Sequence, residues 1–339
     1  MKAESLFYQL AQNQMDGEFC ESHSAPFVDY ECKRGAWLSS RGALSMRPVS
    51  NLYNVIDSRR YAVQKFFRDA ESIGVQFNTK NEISVKVGHG HITLRCDGLI
   101  ENGWPDQGGR MIVKFRNVAK HELAEIRDNG ISEQSRNQAQ MLMASGGIRN
   151  TLFVTYCEFV GVYHFAIVNY NEELARAIWN TTNAGVESDD APEQLPMVDN
   201  KLNPRCEVCS FAAVCMAPII PSTTCRSCRH SQFGPNGSLT CLPNNGYALN
   251  SENIMNLHKC GYHRYRAGLI ASWASPEGGN DNNEFVYTNM LNGTKFINGE
   301  GEGKYTSYEM NSIKGKNPAS LVGESTIEKL KTMFGATLE

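Results

Sequence analysis

Eight of the eleven cysteines fall into two groups whose spacing suits metal ligation. Cys206, Cys209 and Cys215 stand in CEVCSFAAVC, a C-x2-C-x5-C pattern. Two thiolates three residues apart can reach one centre from a single turn, and the third returns after a further short helical turn. Three thiolates leave a four-coordinate site one ligand short. Cys32, far upstream in VDYECKRGAWLSSRG, is the best candidate for the fourth. Such a pairing would clip the N-terminal segment to the end of the core and close a long loop. The second group is Cys225, Cys228, Cys241 and Cys260, a C-x2-C knuckle followed by cysteines after 12 and 18 further residues. It suits tetrahedral Zn2+ in a structural role, because a segment this short and polar has little core of its own. His230, His258 and His263 lie nearby, but four cysteines already complete that site. Of the remaining three, Cys96 and Cys157 sit in apolar strand-like segments and read as buried free thiols, and Cys20 stands alone.

The second group is also locally basic. Arg226, Arg229, Arg264 and Arg266 are interleaved with Tyr262 and Tyr265, a pattern that suits a nucleic-acid surface and equally a solvated face around a zinc knuckle. The net charge of −3 gives no global basic field, so any nucleic-acid contact must rest on a local groove. The first twenty residues lack the apolar core of a signal peptide, and no run has the length of a membrane span. These features read as a cytoplasmic chain, and clustered cysteines in a reducing compartment point to metals over disulfides.

The elements that must position these residues follow from periodicity. Residues 52–73 place Leu52, Val55, Ile56, Val63, Phe66, Phe67 and Ala70 at helical spacing, ending near Gly74. Apolar or alternating runs at 82–87, 91–100 and 110–118 predict a meander of strands between Gly-, Asn- and Pro-containing turns. A helix is expected over 131–145, opening at Ser132, then strands over 151–160 and 162–170, and a helix over 171–182. The acidic stretch 184–204 reads as an exposed connection. Helix, three strands, helix, two strands, helix is an α/β core with helices on a mixed sheet. Beyond residue 275 the chain is rich in Gly and Asn, with a hairpin expected at Asn292-Gly293 and a last helix over 325–334.

At this point the sequence resembles a family. The Cys32-Lys33-Arg34-Gly35-Ala36-Trp37 element, followed after the core by C-x2-C-x5-C, is similar to the iron–sulfur nucleases of the AddB and CRISPR-adaptation exonuclease type. These form a bacterial and phage branch of the PD-(D/E)XK superfamily. The resemblance spans roughly residues 25–216. It implies a PD-(D/E)XK restriction-endonuclease-like core, a mixed sheet flanked by helices, with a [4Fe–4S] cluster held by Cys32, Cys206, Cys209 and Cys215. A zinc knob on the same thiolates remains open. In this superfamily an Asp closes one strand and an acid-x-Lys pair lies on the next, the acids holding Mg2+ or Mn2+ while the lysine assists at the phosphate. Asp97 matches the first element. The acid-x-Lys positions carry Lys114 and Arg116 instead, and a lysine cannot ligate a hard cation. The helical Q-x-x-x-Y element appears as Gln138 with Leu142 in place of the tyrosine. The resemblance also allows a metal-site histidine near the N-terminus, where His23 stands, although His23, His89 and His91 each read better as ordinary exposed or core histidines.

Three readings are open at this stage. In the first, catalysis is lost and the fold binds DNA or a nucleic-acid-processing partner. In the second, an acid such as Glu101, Glu122 or Glu125 restores a Mg2+- or Mn2+-dependent exonuclease site. In the third, the fold is a scaffold for a protein-binding regulator. The expected organisation is a core with its cluster over 1–220, a zinc module over 221–270, and a hairpin-plus-helix tail over 271–339.

Overall fold

The computed structural model describes residues 26–44, 50–79, 83–105, 107–243, 245–249, 260–312 and 318. In chain order its first elements are α1 (Lys33–Ser40), α2 (Ser50–Ser72), β1 (Phe77–Thr79), β2 (Ile83–Val87), β3 (Ile92–Cys96), β4 (Gly98–Ile100) and β5 (Met111–Asn117). Next come α3 (Lys120–Asn129), α4 (Glu133–Gly146), β6 (Asn150–Cys157), β7 (Val162–Asn169) and α5 (Glu172–Glu187). The main sheet is mixed, in the order β1-β4-β5-β6-β7, with β5 and β6 parallel and every other pair antiparallel. Helices α3 and α4 make the crossover that a parallel pair requires. Strands β2 and β3 form a separate two-stranded ribbon.

Alternation on β5 sends its side chains to two different cores. Met111, Val113 and Phe115 pack with Phe66, Phe67 and Ala70 of α2, beside Leu152, Val154 and Tyr156 of β6. Ile112 faces the other way, with Phe153, Leu142 and Met143, and with Ile178 and Val186 of α5. The sheet is therefore covered on both faces, and Lys114 and Arg116 belong to the α4 face.

Several elements depart from the expected pattern. The run 91–100 is not one strand: it bends at Asp97, leaving the ribbon and entering the main sheet. Helix α5 runs five residues past its expected end because Gly185 is a point of close approach to α1. A Cβ there would lie 2.4 Å from the Lys33 carbonyl oxygen. Helix α1 carries no apolar stripe, and α3 only the pair Leu123 and Ile126. All of α1 but Lys33 is buried, whereas α3 buries only Leu123.

Residues 204–216 form two short helices, α6 (Pro204–Glu207) and α7 (Ala212–Met216). The cysteine-rich segment contributes β8 (Ser231–Phe233), β9 (Leu239–Cys241) and β10 (Tyr247–Ala248), a three-stranded antiparallel sheet. After α8 (Ala267–Ile270) come β11 (Ala274–Asn280), β12 (Glu284–Asn289) and β13 (Lys295–Asn298), again antiparallel, then α9 (Ser307–Ser312). The β12–β13 turn contains Asn292-Gly293, with the Gly293 N–H donating to the Asn289 carbonyl at 2.8 Å. Trp273, Tyr287 and Phe296 share one apolar cluster with Ile220 and Tyr265, so this sheet and the cysteine-rich segment have a common core. The helix expected over 325–334 lies outside the described residues, as do Cys20, His23 and His258.

Candidate nucleic-acid interface and cysteine sites

The face of β5 that carries Lys114 and Arg116 opens into a cavity of about 800 Å³ between the sheet, α3 and α4. Gln138, Glu122, Glu125 and Arg136 line it as well. Alternation and the crossover thus bring together the Lys114, Arg116 and Gln138 positions named from sequence. The Arg116 guanidinium donates to Glu122 Oε1 at 2.8 Å, while Glu122 Oε2 accepts from the Ala119 N–H at 2.9 Å and caps α3. Lys114 Nζ donates to the Arg95 carbonyl at 2.7 Å. The Gln138 side-chain amide donates to the Pro26 carbonyl at 3.1 Å and so holds the N-terminal segment against α4.

Asp97 is not among the residues lining that cavity. It is 5% exposed, and its carboxylate is already engaged. The β4–β5 ladder ends where the Asp97 N–H meets the Val113 carbonyl at 2.8 Å, and Asp97 Oδ2 then accepts the next N–H, that of Phe115, at 2.7 Å. The other oxygen is ion-paired with Arg59 of α2. A side chain here takes over the rung that the bend removes, and a buried carboxylate with two such partners is costly to disturb. Arg59 carried no motif, and sequence reasoning did not single it out. Among the other acids considered, Glu101 pairs with Arg110 at 2.9 Å, and Glu125 joins Glu122 on the cavity wall.

Cys32, Cys206, Cys209 and Cys215 line one small cavity, although more than 170 residues separate the first from the rest. Its surroundings are apolar: Phe27, Trp37, Leu38, Phe211 and Val214 cluster there. Cys32 caps α1, its sulfur accepting from the Gly35 N–H at 3.3 Å, and Cys209 accepts from the Phe211 N–H at 3.4 Å. Burial first, and then Asp29 and the neighbouring thiols, push Cys32 up to about 12. Such a thiol needs added positive charge before it can act as a thiolate. Four thiols are the donor type of a thiolate-held metal group, but here they are not drawn close enough to hold a single metal ion.

Charge fixes this junction too. Arg205 Nη1 lies 2.9 and 2.8 Å from the two oxygens of Asp29, and Arg205 also pairs with Glu31 and Glu133. Asp29 in turn accepts the Cys32 N–H at 2.9 Å. Arg205 adjoins Cys206, so one guanidinium locks both cysteine-bearing segments and α4 together. Its place beside Cys206 was the only sequence signal, and it went unread.

Cys228, Cys241 and Cys260 lie near enough to Cys225 to act on its charge. Burial and then the thiols of the other three push Cys225 up to about 12. Among the described residues, no group of three or more His, Cys, Asp or Glu is drawn close enough to hold a single metal ion. The arginines beside this group turn inward rather than forming an outer basic face. Arg264, 2% exposed, donates to the Asn283, Gly261 and His263 carbonyls at 2.7 Å each. Arg226 donates to the Ser40 carbonyl at 3.1 Å, and Arg266 to that of Ser231. Only Arg229 of the four is exposed.

His91 is a core residue that joins the ribbon to this module. Its Nε2–H donates to the Gly234 carbonyl at 2.8 Å, which leaves Nδ1 to accept from Arg226 at 3.2 Å. Burial, reinforced by Arg226 and Arg41, draws its pKa down to about 4. Beside it, Gly90 (φ +89) lies so close to the turn at Asn236-Gly237 that a Cβ would meet backbone at 2.5 Å.

No family model matches the sequence, and no curated protein matches it. Among solved structures, the chain is similar to an alkaline exonuclease from Laribacter hongkongensis at 19% identity and a TM-score of 0.24, covering 31% of this chain and 56% of that one. The chain thus spans about half of that structure. A structure of LHK-Exo in complex with dAMP matches at 14% identity and a TM-score of 0.31, over 47% of this chain and 86% of that one. A protein titled SSO0001 matches at 11% identity and a TM-score of 0.36, over 64% and 98%. At TM-scores this low, the likenesses carry no argument about function. No helix among the described residues is long and apolar enough to cross a membrane.

Proposed function

We infer that the chain is a DNA-binding protein built on a PD-(D/E)XK-type core from which the hydrolytic metal site has gone. The observation that supports this most is the cavity on β5. Lys114 and Arg116 occupy its strand wall, while Asp97 spends its carboxylate on Arg59 and the Phe115 N–H. A divalent ion needs hard oxygen ligands, and two cations on the strand repel it. Lys114, with Arg136 on α4, suits the phosphates of a nucleic-acid backbone, and Arg116 would join them on leaving Glu122. A nucleic-acid-processing protein could occupy the same surface, and the salt dependence of binding separates the two.

The cysteine sets support two metal groups in this reading. Cys32, Cys206, Cys209 and Cys215 would hold a [4Fe–4S] cluster, and Cys225, Cys228, Cys241 and Cys260 a structural Zn2+. Both groups would serve to tie segments together, and neither takes part in chemistry at the β5 cavity. Iron, sulfide and zinc analysis of anaerobically purified protein tests this pair, and zinc at both sites with no visible absorption would refute the cluster.

A second reading rests on Glu122 and Glu125, one turn apart on α3 and both on the cavity wall. If they hold Mg2+ or Mn2+, the chain is an exonuclease with a rearranged site. Titrating labelled DNA at several salt concentrations tests the leading reading. Affinity should fall steeply with salt, and Lys114→Ala should reduce the slope by about one. Salt-independent association, or none, would leave the protein-binding reading in its place.

A further inference from the structure

Phe233 lies in a second cavity, of about 640 Å³, between the β2–β3 turn, the end of α5 and the cysteine module. Three guanidinium groups gather on its ring: those of Arg41, Arg266 and Arg226 lie 4.6, 5.4 and 5.8 Å from the centroid. Arg41 is 2% exposed. It donates to the Val186 carbonyl at 3.0 Å, the Ser40 hydroxyl at 2.8 Å and the Ser188 carbonyl at 2.6 Å. Its Nε is buried with no partner, and so is the Nε of Arg266.

Carbonyl and hydroxyl oxygens satisfy donors, but they do not neutralise a buried charge. None of these three arginines forms an ion pair among the described residues. Asp189 lies near enough to favour the charge on Arg41 and Arg266 without touching either. Glu187 is taken by His89 at 2.8 Å. Arg229, exposed and seated 3.6 Å over the Phe285 ring, lines the same cavity. Three guanidiniums lining the cavity, those of Arg41, Arg229 and Arg266, therefore face two carboxylates, and Arg226 adds a fourth against the Phe233 ring. Their strain shows in Arg41, whose pKa is drawn down to about 9 by burial and then by Arg266. A guanidinium keeps its proton in a protein, so the excess charge calls for an anion.

We propose that this cavity binds a phosphate group, carried by a nucleotide or by the end of a nucleic-acid strand, with Arg41, Arg229 and Arg266 as its donors. A phosphate monoester carries roughly −1.5 to −2 near neutrality, which offsets the excess, and forked guanidiniums suit its oxygens. The site is separate from the β5 cavity and does not depend on it.

The test is a calorimetric titration of the full chain with inorganic phosphate at constant ionic strength, with chloride as the control. A mononucleotide, and a 5′-phosphorylated oligonucleotide against its unphosphorylated twin, then distinguish the two carriers. Saturable phosphate binding is expected. It should weaken on the order of tenfold in Arg229→Gln and again in Arg266→Gln, the worth of one charge-assisted hydrogen bond. Arg229 is exposed, so its variant remains informative should Arg266→Gln fail to fold. Absence of saturable phosphate binding to the native protein would overturn the proposal. Unchanged affinity in folded Arg229→Gln would also overturn it. Loss of phosphate binding in Lys114→Ala would place the anion in the β5 cavity and refute it equally.

Discussion

The two cysteine-bearing regions use the same side chain to do different work. The first set joins residues 32 and 206–215 across the whole core, and its thiols sit among Trp37, Leu38 and Phe211. The second set is local in sequence. Its segment reaches the core through side chains and backbone: His91 to Gly234, Arg226 to Ser40, Gly90 against Gly237. Spacing announces that a set exists, but the contacts around it decide what its loss would release. Breaking the first should unclip the core, whereas breaking the second should free one module.

That contrast can be broken most sharply at the sulfurs. Where a metal site forms only in the folded state, its binding energy is folding energy, on the order of 10 kcal/mol for thiolate-held zinc. Cys209→Ser should therefore lower the thermal midpoint of the whole core, with loss of visible absorption where the proposed cluster is bound. Cys225→Ser should leave the core transition in place and expose residues 225–265 to limited proteolysis. Equal effects from the two variants would erase the distinction.

A smaller effect is expected at Arg205, the charge lock of the first region. Its side chain is 18% exposed and faces Asp29, Glu31 and Glu133. Arg205→Ala should leave three carboxylates in mutual repulsion and cost about 2 kcal/mol, between the values for surface and buried pairs. Denaturant midpoints would measure it, and a change near zero would reduce the network to surface decoration.

The smallest effect belongs to the seam of the second region. His91 is held neutral, with a folded pKa of about 4 against an ordinary 6.5. A depressed histidine pKa means that the unfolded chain binds the extra proton first. The stability it confers is full above about pH 6.5 and is lost as pH falls toward 4. His91→Gln should flatten that part of the stability profile relative to the native protein. His263, drawn down to about 3 by complete burial, contributes to both proteins and so cancels in the comparison.

Much of this was legible in the sequence. The 3.6-residue pattern of α2 and the apolar runs of β5 and β6 gave the layered core, and Ser132 marked the start of α4. That Cys206, Cys209 and Cys215 share a cavity was readable because their spacing is local, whereas placing Cys32 with them rested on counting thiolates. What escaped was non-local. Asp97 stands where a strand leaves one sheet for another, and only the β4–β5 register shows that its carboxylate completes a ladder. Arg226, Arg264 and Arg266 looked like a solvated basic stripe, yet they bond carbonyls inward. Sequence shows charge but not direction. Helix α3, with only Leu123 and Ile126 as large apolar residues, offered too short a period to detect.

The central claim is a DNA-binding core that has lost hydrolysis, and one experiment meets it directly. Labelled linear DNA would be incubated with the native protein in Mg2+ or Mn2+, and each sample read for both retained and shortened strands. The expected result is DNA that is bound, in a manner weakened by salt and by Lys114→Ala, and left uncut. Cutting that disappears in Glu125→Gln would contradict it, because the acids on α3 would then hold the metal that the strand has given up.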